Sequence, residues 1–443
     1  MAKKKQIELT IEEKLQNALV PKEEQPYKIP SNWCWTYIHN IAIVVTGKTP
    51  SKKNKEYYGG KFPFFKPADL DAGRNMQYAT EYLSEKGKSI SVIIPEKATG
   101  ICCIGTIGKC GYFLVEGTTN QQINTVISKI NPLYSYYFFN TNSFVRELIS
   151  KASATTIAIV NKSKLESCLF PVAPLNEQQR IVNRIESLFV KLDRAKELIE
   201  NTLSQFEQNK MAILHKAFTG ELTAKWRKEN NIDLSSWKKC ELKEVFKVVK
   251  DKYNPQTENQ IVNYIGLENI ETSKGIISKN NSSEVKSIKT KFKKDDVLYG
   301  KLRPYLNKHD VVNFDGICST DILVFRFNDI NTAKYINYYF NLPMFIQYAV
   351  ENSSGINLPR VSEKTISKYK ISLPTIEEQQ EIVNILDNLL AKYNKIKNLE
   401  QQLEKIELLK KAILAKAFRG ELGTNNPDEE SAENLLKEIL AEK

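Results

Sequence analysis

Histidine is scarce in this sequence, and no recognisable catalytic arrangement is present. The three histidines, His39, His215 and His309, each lie apart from any cluster of cysteines or carboxylates. We therefore expect no metal site. No Ser/His/Asp, Cys/His or paired-carboxylate arrangement stands out, so general acid-base chemistry has few candidates. The sequence favours a binding protein over an enzyme.

The seven cysteines form no CxxC pair, and their number is odd. Residues 1–14 are a charged run that does not resemble a signal peptide. This pattern is typical of reduced thiols buried as small hydrophobes rather than of a disulfide framework. Residues 29–47, the longest uncharged window, are interrupted by proline and polar residues and cannot span a bilayer as about 20 apolar residues would. We expect a soluble, cytoplasmic protein.

The net charge of +12 is concentrated in two segments of similar length. Residues 31–173 contain 16 Lys and Arg against 9 Asp and Glu, and residues 223–373 contain 25 against 17. The segments 174–222 and 374–422 are balanced. A polyanion-binding surface that occurs twice explains this distribution. The alternative is a solvated surface on a lysine-rich protein.

The sequence is an imperfect two-fold repeat. Residues 212–222 (AILHKAFTGEL) and 412–422 (AILAKAFRGEL) are identical at nine of eleven positions. The motif QQRIVN at 178–183 returns as QQEIVN at 379–384. Residues 8–10 (ELT) match 221–223, which suggests that the N-terminal arm restarts the repeat, as if the unit were cyclic.

Two long stretches without Gly or Pro lie between these motifs, and their apolar residues alternate at spacings of four and three, as in a coiled coil. In the second stretch, a step of only three from Ile396 to Leu399 predicts a stammer. We expect two long helices that end at Gly220 and Gly420 and pair in antiparallel orientation. The alternative is that each helix packs on its own neighbouring domain. The predicted seam residues are Ile181, Ile185, Leu188, Leu192, Ile199, Phe206, Ile213, Ile382, Leu386, Leu389, Tyr393, Ile396, Leu403, Ile406 and Ile413.

The two basic segments alternate β-branched and aromatic runs with polar loops, which is typical of mixed α/β domains. The predicted strands lie at 101–107, 124–130, 296–299 and 317–327. The expected fold class is α/β, with two mixed α/β domains separated by two long antiparallel coiled-coil helices in a pseudo-two-fold internal repeat. The expected segments are an arm (1–30), a first domain (31–173), a first helix (174–222), a linker and second domain (223–373), a second helix (374–422) and an acidic tail (423–443).

Two enzyme motifs occur in weakened form. Residues 42–49 (AIVVTGKT) satisfy the loose pattern of a phosphate-binding P-loop, but their β-branched residues favour a strand. Residues 131–134 (NPLY) are similar to the NPPY loop of adenine methyltransferases, with leucine replacing a proline. We interpret the first as a strand and the second as a turn into a helix.

The sequence resembles the specificity subunits of type I restriction-modification systems. The shared features are an E-Q-Q-x-I opening of both helices after a proline, K-A-F-x-G-E-L endings and a period of half the chain. The phrases GKTPS (47–51), VLYGKLRPY (297–305) and CSTD (318–321) are similar to phrases in the target recognition domains of that family. The resemblance covers nearly the whole chain.

The resemblance implies two DNA-reading target recognition domains held apart by the helix pair. It also implies partners: double-stranded DNA, two modification (methyltransferase) subunits that grip the helices, and restriction subunits. S-adenosylmethionine, ATP and Mg²⁺ would then belong to those partners, with no cofactor in this chain. The implied target is bipartite and asymmetric, and partner subunits would methylate adenine or cleave the DNA. A coiled-coil scaffold and a P-loop nucleotide-binding enzyme are the alternatives.

Basic and polar loop residues of the two domains are the candidate DNA contacts, because Lys and Arg neutralise phosphates while Arg and Asn read base edges. The candidates are Lys48, Thr49, Ser51, Lys52 and Lys53 in the first domain and Lys301, Arg303, Tyr305, Asn357 and Arg360 in the second.

Overall fold

A computed structural model describes residues 9–153, 158–258, 260–394 and 397–442. The chain divides into two compact units. Unit 1 comprises residues 1–198 and 401–443, and unit 2 comprises residues 199–400. No helix among the described residues is long and apolar enough to cross a membrane.

The N-terminal part of unit 1 contains six α-helices and nine strands among the described residues. Its helices are α1 (Ile11–Ala18), α2 (Ile38–Ile41), α3 (Glu85–Ser89), α4 (Pro132–Phe139), α5 (Asn142–Ser150) and α6 (Lys162–Glu166). Its strands are β1 (Cys34–Tyr37), β2 (Ala42–Thr46), β3 (Tyr58–Phe65), β4 (Glu81–Leu83), β5 (Thr99–Cys102), β6 (Cys110–Tyr112), β7 (Thr118–Thr119), β8 (Ile123–Ser128) and β9 (Leu169–Val172). Strands β2-β8-β5-β6 form an antiparallel sheet, β4-β3-β7 form a second sheet, and β1 pairs with β9.

The chain then forms the long helix α7 (Leu175–Thr219), followed by α8 (Ala224–Glu229) and the strands of unit 2. These are β10 (Lys238–Glu241), β11 (Phe246–Val248), β12 (Lys252–Tyr253), β13 (Asn263–Ile265), β14 (Ile270–Glu271), β15 (Gly275–Ile276), β16 (Asn280–Asn281), β17 (Lys289–Phe292), β18 (Val297–Gly300), β19 (His309–Val311), β20 (Gly316–Cys318), β21 (Ile322–Phe327) and β22 (Lys370–Leu373). The remaining helices are α9 (Ile330–Tyr339), α10 (Pro343–Glu351), α11 (Glu363–Ser367), α12 (Ile376–Asn394), α13 (Lys397–Ala417) and α14 (Ala432–Ala441).

The sheets confirm the internal repeat. In unit 2, β11-β21-β18-β19 reproduce the order of β2-β8-β5-β6, and the pair β10-β22 reproduces β1-β9. The second sheets differ, because β12-β17-β20-β13-β16 replaces β4-β3-β7. Both nevertheless contain a parallel pair, β3 with β7 and β13 with β20. The two domains therefore share a scaffold and differ around it.

The predicted strands are partly correct. The runs at 124–130 and 296–299 correspond to β8 and β18. The run at 101–107 is wrong beyond Cys102, because Gly105 and Gly108 have φ of 82° and 88° and turn the chain. The run at 317–327 is interrupted by a turn at 319–321 that separates β20 from β21.

The ends of the long helices explain the repeated K-A-F-x-G-E-L motif. In unit 1, the Phe418 ring lies 5.0 Å from Tyr134 and 5.2 Å from Phe138, both on α4. In unit 2, the Phe218 ring lies 5.1 Å from Tyr335 and 4.9 Å from Tyr339, both on α9. The glycine within each motif, Gly220 or Gly420, has positive φ. Gly220 directly follows the last residue of α7 as predicted, whereas α13 ends at Ala417, three residues before Gly420.

Helix α7 and helix α13 run antiparallel within unit 1. Lys196 pairs with Glu407 at 3.1 Å, and Lys410 pairs with Asp193, so the order of contacts reverses along the chain. The predicted seam residues Ile181, Ile185, Ile382, Leu386 and Ile406 are buried. Leu188, Leu192, Ile199, Phe206, Ile213, Leu389, Leu403 and Ile413 are half-buried. The Tyr393 side chain, Ile396 and the predicted stammer lie outside the described residues.

The helix starts also pack on the α/β domains. Ile181 and Ile185 belong to the same core as Tyr134 and Phe170 of the first domain. Ile382 and Leu386 belong to the core of the second domain. These four residues therefore pack on domain side chains as well as on the end of the other helix.

Both ends of the chain contribute to unit 1. Leu15 and Ala18 of α1 and Leu436 and Ile439 of α14 belong to the core that contains Phe418. At the surface of this contact, Lys437 pairs with Glu12 at 3.0 Å. The N-terminal arm and the acidic tail are thus parts of one packed unit.

The cysteines have the buried character that the sequence predicted. Six of the seven are buried and Cys240 is half-buried, and all are free thiols. Burial raises the pKa of Cys34 and of Cys318 to about 12, which keeps both thiols protonated and unreactive near neutral pH.

Replacing Leu436 with alanine should destabilise unit 1. The side chain is fully buried in the core that joins α14 to the first domain. We expect the free energy of unfolding to fall by about 2 to 5 kcal/mol, measured by urea denaturation. The matched control is Leu408→Ala, because Leu408 of α13 is 63% exposed. Similar losses in both variants would contradict this account of the tail.

Candidate nucleic-acid interface

The candidate DNA contacts of unit 2 lie together on two adjacent loops. After β18, the Arg303 amide donates to the Pro359 carbonyl at 2.7 Å, and the Val361 amide donates to the Lys301 carbonyl at 3.0 Å. The structure thus brings Lys301, Arg303 and Tyr305 next to the segment that contains Asn357 and Arg360. Arg303, Tyr305, Asn357 and Arg360 are all exposed.

Bonds to Asp321 hold these loops in place despite backbone strain at Arg303. Arg303 has φ of 52°, a left-handed conformation that costs free energy for a residue other than glycine. The Arg360 guanidinium bonds to the Asp321 carboxylate at 3.1 Å, while the Asp321 carbonyl accepts from the Lys301 amide. These bonds fix the backbone and leave the Arg303 side chain exposed.

Unit 1 contains the same paired loops with different side chains. Gly105 donates its amide to the Ala158 carbonyl, and Val160 donates to the Cys103 carbonyl, as Arg303 and Val361 do in unit 2. The backbone of Ile104 forms an isolated antiparallel β-bridge with that of Ile159, and Leu302 forms the same bridge with Arg360. Glycine and isoleucine therefore occupy the positions of two arginines. At the described positions of these loops, the same backbone bonds support two chemically different surfaces.

The candidate DNA contacts of unit 1 lie on another loop, which follows β2. The Lys48 amide donates to the Thr119 carbonyl at 2.9 Å, and the Thr49 hydroxyl donates to Gln121. Ser51 closes a turn by accepting from the Asn54 amide at 3.1 Å. This turn exposes Lys52 and Lys53.

Gly47 is required at the start of this loop. A Cβ at Gly47 would lie 2.2 to 2.4 Å from Thr119 and Asn120, so only glycine permits this approach. The preceding residues 42–46 form β2, which pairs with β8, and this strand overturns the P-loop alternative.

Sequence reasoning missed the matching loop of unit 2. Strand β11 corresponds to β2, so Lys250 and Lys252 follow it near the position of Lys48. Lys250 is exposed and pairs with Glu363 at 2.7 Å. The internal repeat could have indicated this loop from the sequence. The two segments have diverged here, however, and only the strand order shows that they correspond.

The NPLY motif begins a helix, as interpreted from the sequence. The Asn131 side chain accepts from the Leu133 and Tyr134 amides and caps α4. Tyr134 is fully buried and donates its hydroxyl to the Pro171 carbonyl at 2.9 Å. No face of this tyrosine is available to stack on a base.

A buried glutamate lies near the start of α7 and another near the start of α12, and each one joins distant parts of the chain. In unit 2, Glu378 accepts from the Trp237 indole at 2.9 Å, from the Thr223 hydroxyl at 2.7 Å and from Arg227. In unit 1, Glu177 accepts from the Trp33 indole at 2.7 Å, from Thr424 at 3.4 Å and from Asn425 at 2.9 Å. Both glutamates are fully buried.

This arrangement corrects one expectation about the cyclic repeat. Thr424 takes the position of Thr223 beside the glutamate, whereas Thr10 caps α1 by accepting from the Glu13 amide. The tail, and not residues 8–10, therefore continues the repeat at this point. Glu8 lies outside the described residues.

The first glutamine of the E-Q-Q motif attaches the helix to its domain. Gln178 donates to the Ala173 carbonyl and accepts from the Asn131 amide at 3.0 Å. Gln379 donates to the Pro374 carbonyl and accepts from the Thr332 hydroxyl at 2.7 Å. The motif is thus a structural joint.

The geometry defines a protein with two similar domains that carry different basic loops, attached to an antiparallel helix pair. The family model described as "Type I restriction modification DNA specificity domain" matches residues 30–205 and 235–408. The chain therefore belongs to the family of type I restriction-modification DNA specificity proteins.

Curated relatives match nearly end to end. The EcoDI specificity subunit of Escherichia coli is 24% identical over 94% of this chain and 96% of its own. The EcoKI specificity subunit of Escherichia coli strain K12 is 26% identical over the same shares. The MjaIX specificity subunit of Methanocaldococcus jannaschii is 24% identical over 90% of this chain and 96% of its own.

Solved structures share the fold. A chain from a study of complex assembly and conformational transition of the type I R-M system has a TM-score of 0.68 at 17% identity, covering 89% of this chain and 100% of that one. The HsdS subunit from Thermoanaerobacter tengcongensis has a TM-score of 0.55 at 18% identity, covering 90% and 99%. The architecture predicted from the sequence is confirmed.

The two buried glutamates should differ in their contribution to stability. In Glu378→Gln, the buried Arg227 loses its carboxylate, and we expect a cost of about 3 to 5 kcal/mol. In Glu177→Gln, the donors are Trp33, Thr424 and Asn425, which are all neutral, and we expect about 1 to 3 kcal/mol. Denaturant unfolding with hydrogen exchange of α4 and α9 would assign each loss to its unit. A larger loss in Glu177→Gln would contradict this ranking.

Proposed function

We propose that this chain selects the DNA target of a type I restriction-modification complex. Each α/β domain reads one half of a bipartite, asymmetric site. The selected site is then methylated at adenine, or the DNA is cleaved, by partner subunits.

This proposal rests on one observation: the two domains have loops with the same backbone hydrogen bonds but different exposed residues. Residues 103–106 and 301–304 share their backbone hydrogen bonds, yet Gly105 stands where Arg303 stands and Ile159 where Arg360 stands. Arginine reads guanine through two hydrogen bonds in the major groove, which glycine and isoleucine cannot form. Two domains with the same backbone and different tips are suited to different half-sites.

The chain itself is proposed to be non-catalytic. Among the described residues, no group of three or more His, Cys, Asp or Glu could hold a metal ion. The proposed partners are double-stranded DNA, two modification subunits bound along the helices, and restriction subunits. S-adenosylmethionine, ATP and Mg²⁺ are proposed to bind to those partners, and the chain is proposed to act in the cytoplasm.

A pure coiled-coil scaffold is the second candidate, supported by the antiparallel ion pairs between α7 and α13. It accounts less well for the charge, because the positive excess lies in the two domains and the helices are balanced. Salt-sensitive DNA binding distinguishes the two functions.

Exchanging one domain should change one half of the target. Residues 31–173 would be replaced by the matching domain of a relative with a known target, and the complex with modification subunits would be mapped by its methylation sites. We expect one half-site to change and the other to stay. A simultaneous change of both half-sites would disprove independent reading by the two domains.

Removing two lysines of the β2 loop should weaken the salt dependence of DNA binding. Lys52 and Lys53 lie on an exposed turn. Their double alanine variant should reduce the slope of log K against log salt by up to about two, since each phosphate contact contributes about 0.9. The control is Lys22→Ala/Lys28→Ala, two exposed lysines of the arm. An unchanged slope in the loop variant would remove both lysines from the interface.

A further inference from the structure

Unit 2 contains a cleft of about 930 Å³ between α7 and the second domain. It lies among Glu207, Asn307, His309, Asp310, Tyr338 and Asp387. Asn307 follows the loop of the candidate DNA contact Tyr305, but none of the ten candidate DNA contacts lines the cleft. Neither the proposed reading of DNA nor the helix pairing accounts for the cleft.

The repeat shows what fills the corresponding position in unit 1. There, the Arg74 guanidinium bonds to the Glu186 carboxylate of α7 at 2.6 Å, and the Tyr137 hydroxyl bonds to the same carboxylate at 3.3 Å. Glu186 and Tyr137 correspond to Asp387 and Tyr338, both at an offset of 201. In unit 2, Tyr338 again bonds to the carboxylate, that of Asp387.

The residue equivalent to Arg74 is Lys274. The Asp69 carboxylate accepts from the backbone amide of Lys66, three residues earlier. Asn269, 200 residues further along the chain, accepts in the same way from the backbone amide of Gly266. Four residues later, Gly73 and Ser273 both have positive φ, of 56° and 63°. The next residue in each segment is Arg74 or Lys274.

Lys274 does not reach the carboxylate that corresponds to Glu186. Its ammonium bonds to Glu271 on the same hairpin. Asp387 is contacted instead by Tyr338 and, at 3.5 Å, by Lys334. Among the described contacts of Asp387, none corresponds to the guanidinium that Arg74 provides in unit 1.

A buried acceptor on the cleft wall also needs a donor. Asn307 donates its amide to the His309 ring at 3.1 Å and to the Phe340 carbonyl at 3.0 Å. These bonds fix the orientation of the amide. Its Oδ1 has no hydrogen-bond partner among the described residues, although Asn307 is only 7% exposed. An unpaired buried acceptor is costly. Because Oδ1 is shielded from solvent, an N–H donor in the cleft would satisfy it only after a small movement of the cleft wall.

We propose that this cleft binds a guanidinium group, which donates to the Asp387 carboxylate beside Tyr338, as Arg74 does to Glu186 beside Tyr137. A guanidinium fits better than a primary ammonium, because its planar fork can serve a carboxylate and a second acceptor together. The group could come from a small molecule or from an arginine side chain of a partner subunit. This inference does not depend on the proposed reading of DNA.

The probe is n-butylguanidinium, with n-butylurea as its neutral counterpart, titrated into the full chain by calorimetry. We expect saturable binding of one butylguanidinium per chain and no binding of butylurea. Asp387→Asn keeps the size of the side chain and removes its charge, so it should weaken binding at least about tenfold. No saturable binding, or equal binding by Asp387→Asn, would overturn the proposal.

Lys274→Arg tests the equivalence with Arg74 directly. Its own guanidinium should occupy the site, as Arg74 does in unit 1, and abolish binding of the probe. The matched control is Lys279→Arg, because Lys279 stacks on Phe314 and is not among the residues that line the cleft. Undiminished binding by Lys274→Arg would overturn the equivalence on which the proposal rests.

Adding the modification subunit distinguishes the two sources of the guanidinium. If a partner arginine enters the cleft, the assembled complex should no longer bind the probe. If the natural ligand is a small molecule, the complex should bind the probe as the free chain does. A loss of DNA binding would not change either result with the probe. The guanidinium proposal and the proposed DNA-reading function can therefore be disproved independently.

Discussion

The buried glutamate at the start of each long helix is the interaction on which the rest of the structure depends. Glu177 and Glu378 are fully buried, and each accepts hydrogen bonds from a tryptophan of its domain and from a threonine that follows the end of the other helix. A buried carboxylate without donors is very costly. Each unit must therefore bring together a domain, one helix start and the segment after one helix end.

This constraint explains why both chain ends belong to unit 1. The covalent chain supplies Thr223 to unit 2 directly after α7, but unit 1 receives Thr424 from the C-terminal tail. The arm and α14 then pack around the same core. Packing and hydrogen bonds thus attach the C-terminal tail to unit 1, whereas in unit 2 the corresponding segment follows α7 directly in the chain.

A scaffold fixed in this way can carry variable surfaces. The sheets, the helix joints and the backbone of the paired loops are shared by the two domains, while the exposed tips differ between Gly105 and Arg303. Exposed side chains contribute little to packing, so they can change without loss of the fold. Such a division suits proteins that must acquire new DNA targets while keeping the same helices.

The sequence by itself determined the repeat, the two long helices, their glycine ends and the two basic segments, because these depend on local periodicity, composition and identity between halves. It also placed the candidate DNA contacts on loops. Only the tertiary structure decided that Arg303 and Arg360 are neighbours, that Ile181 and Ile382 lie in domain cores, and that Thr424 replaces Thr10 beside a glutamate. Those outcomes depend on contacts between residues far apart in the chain, which no periodicity or short motif encodes.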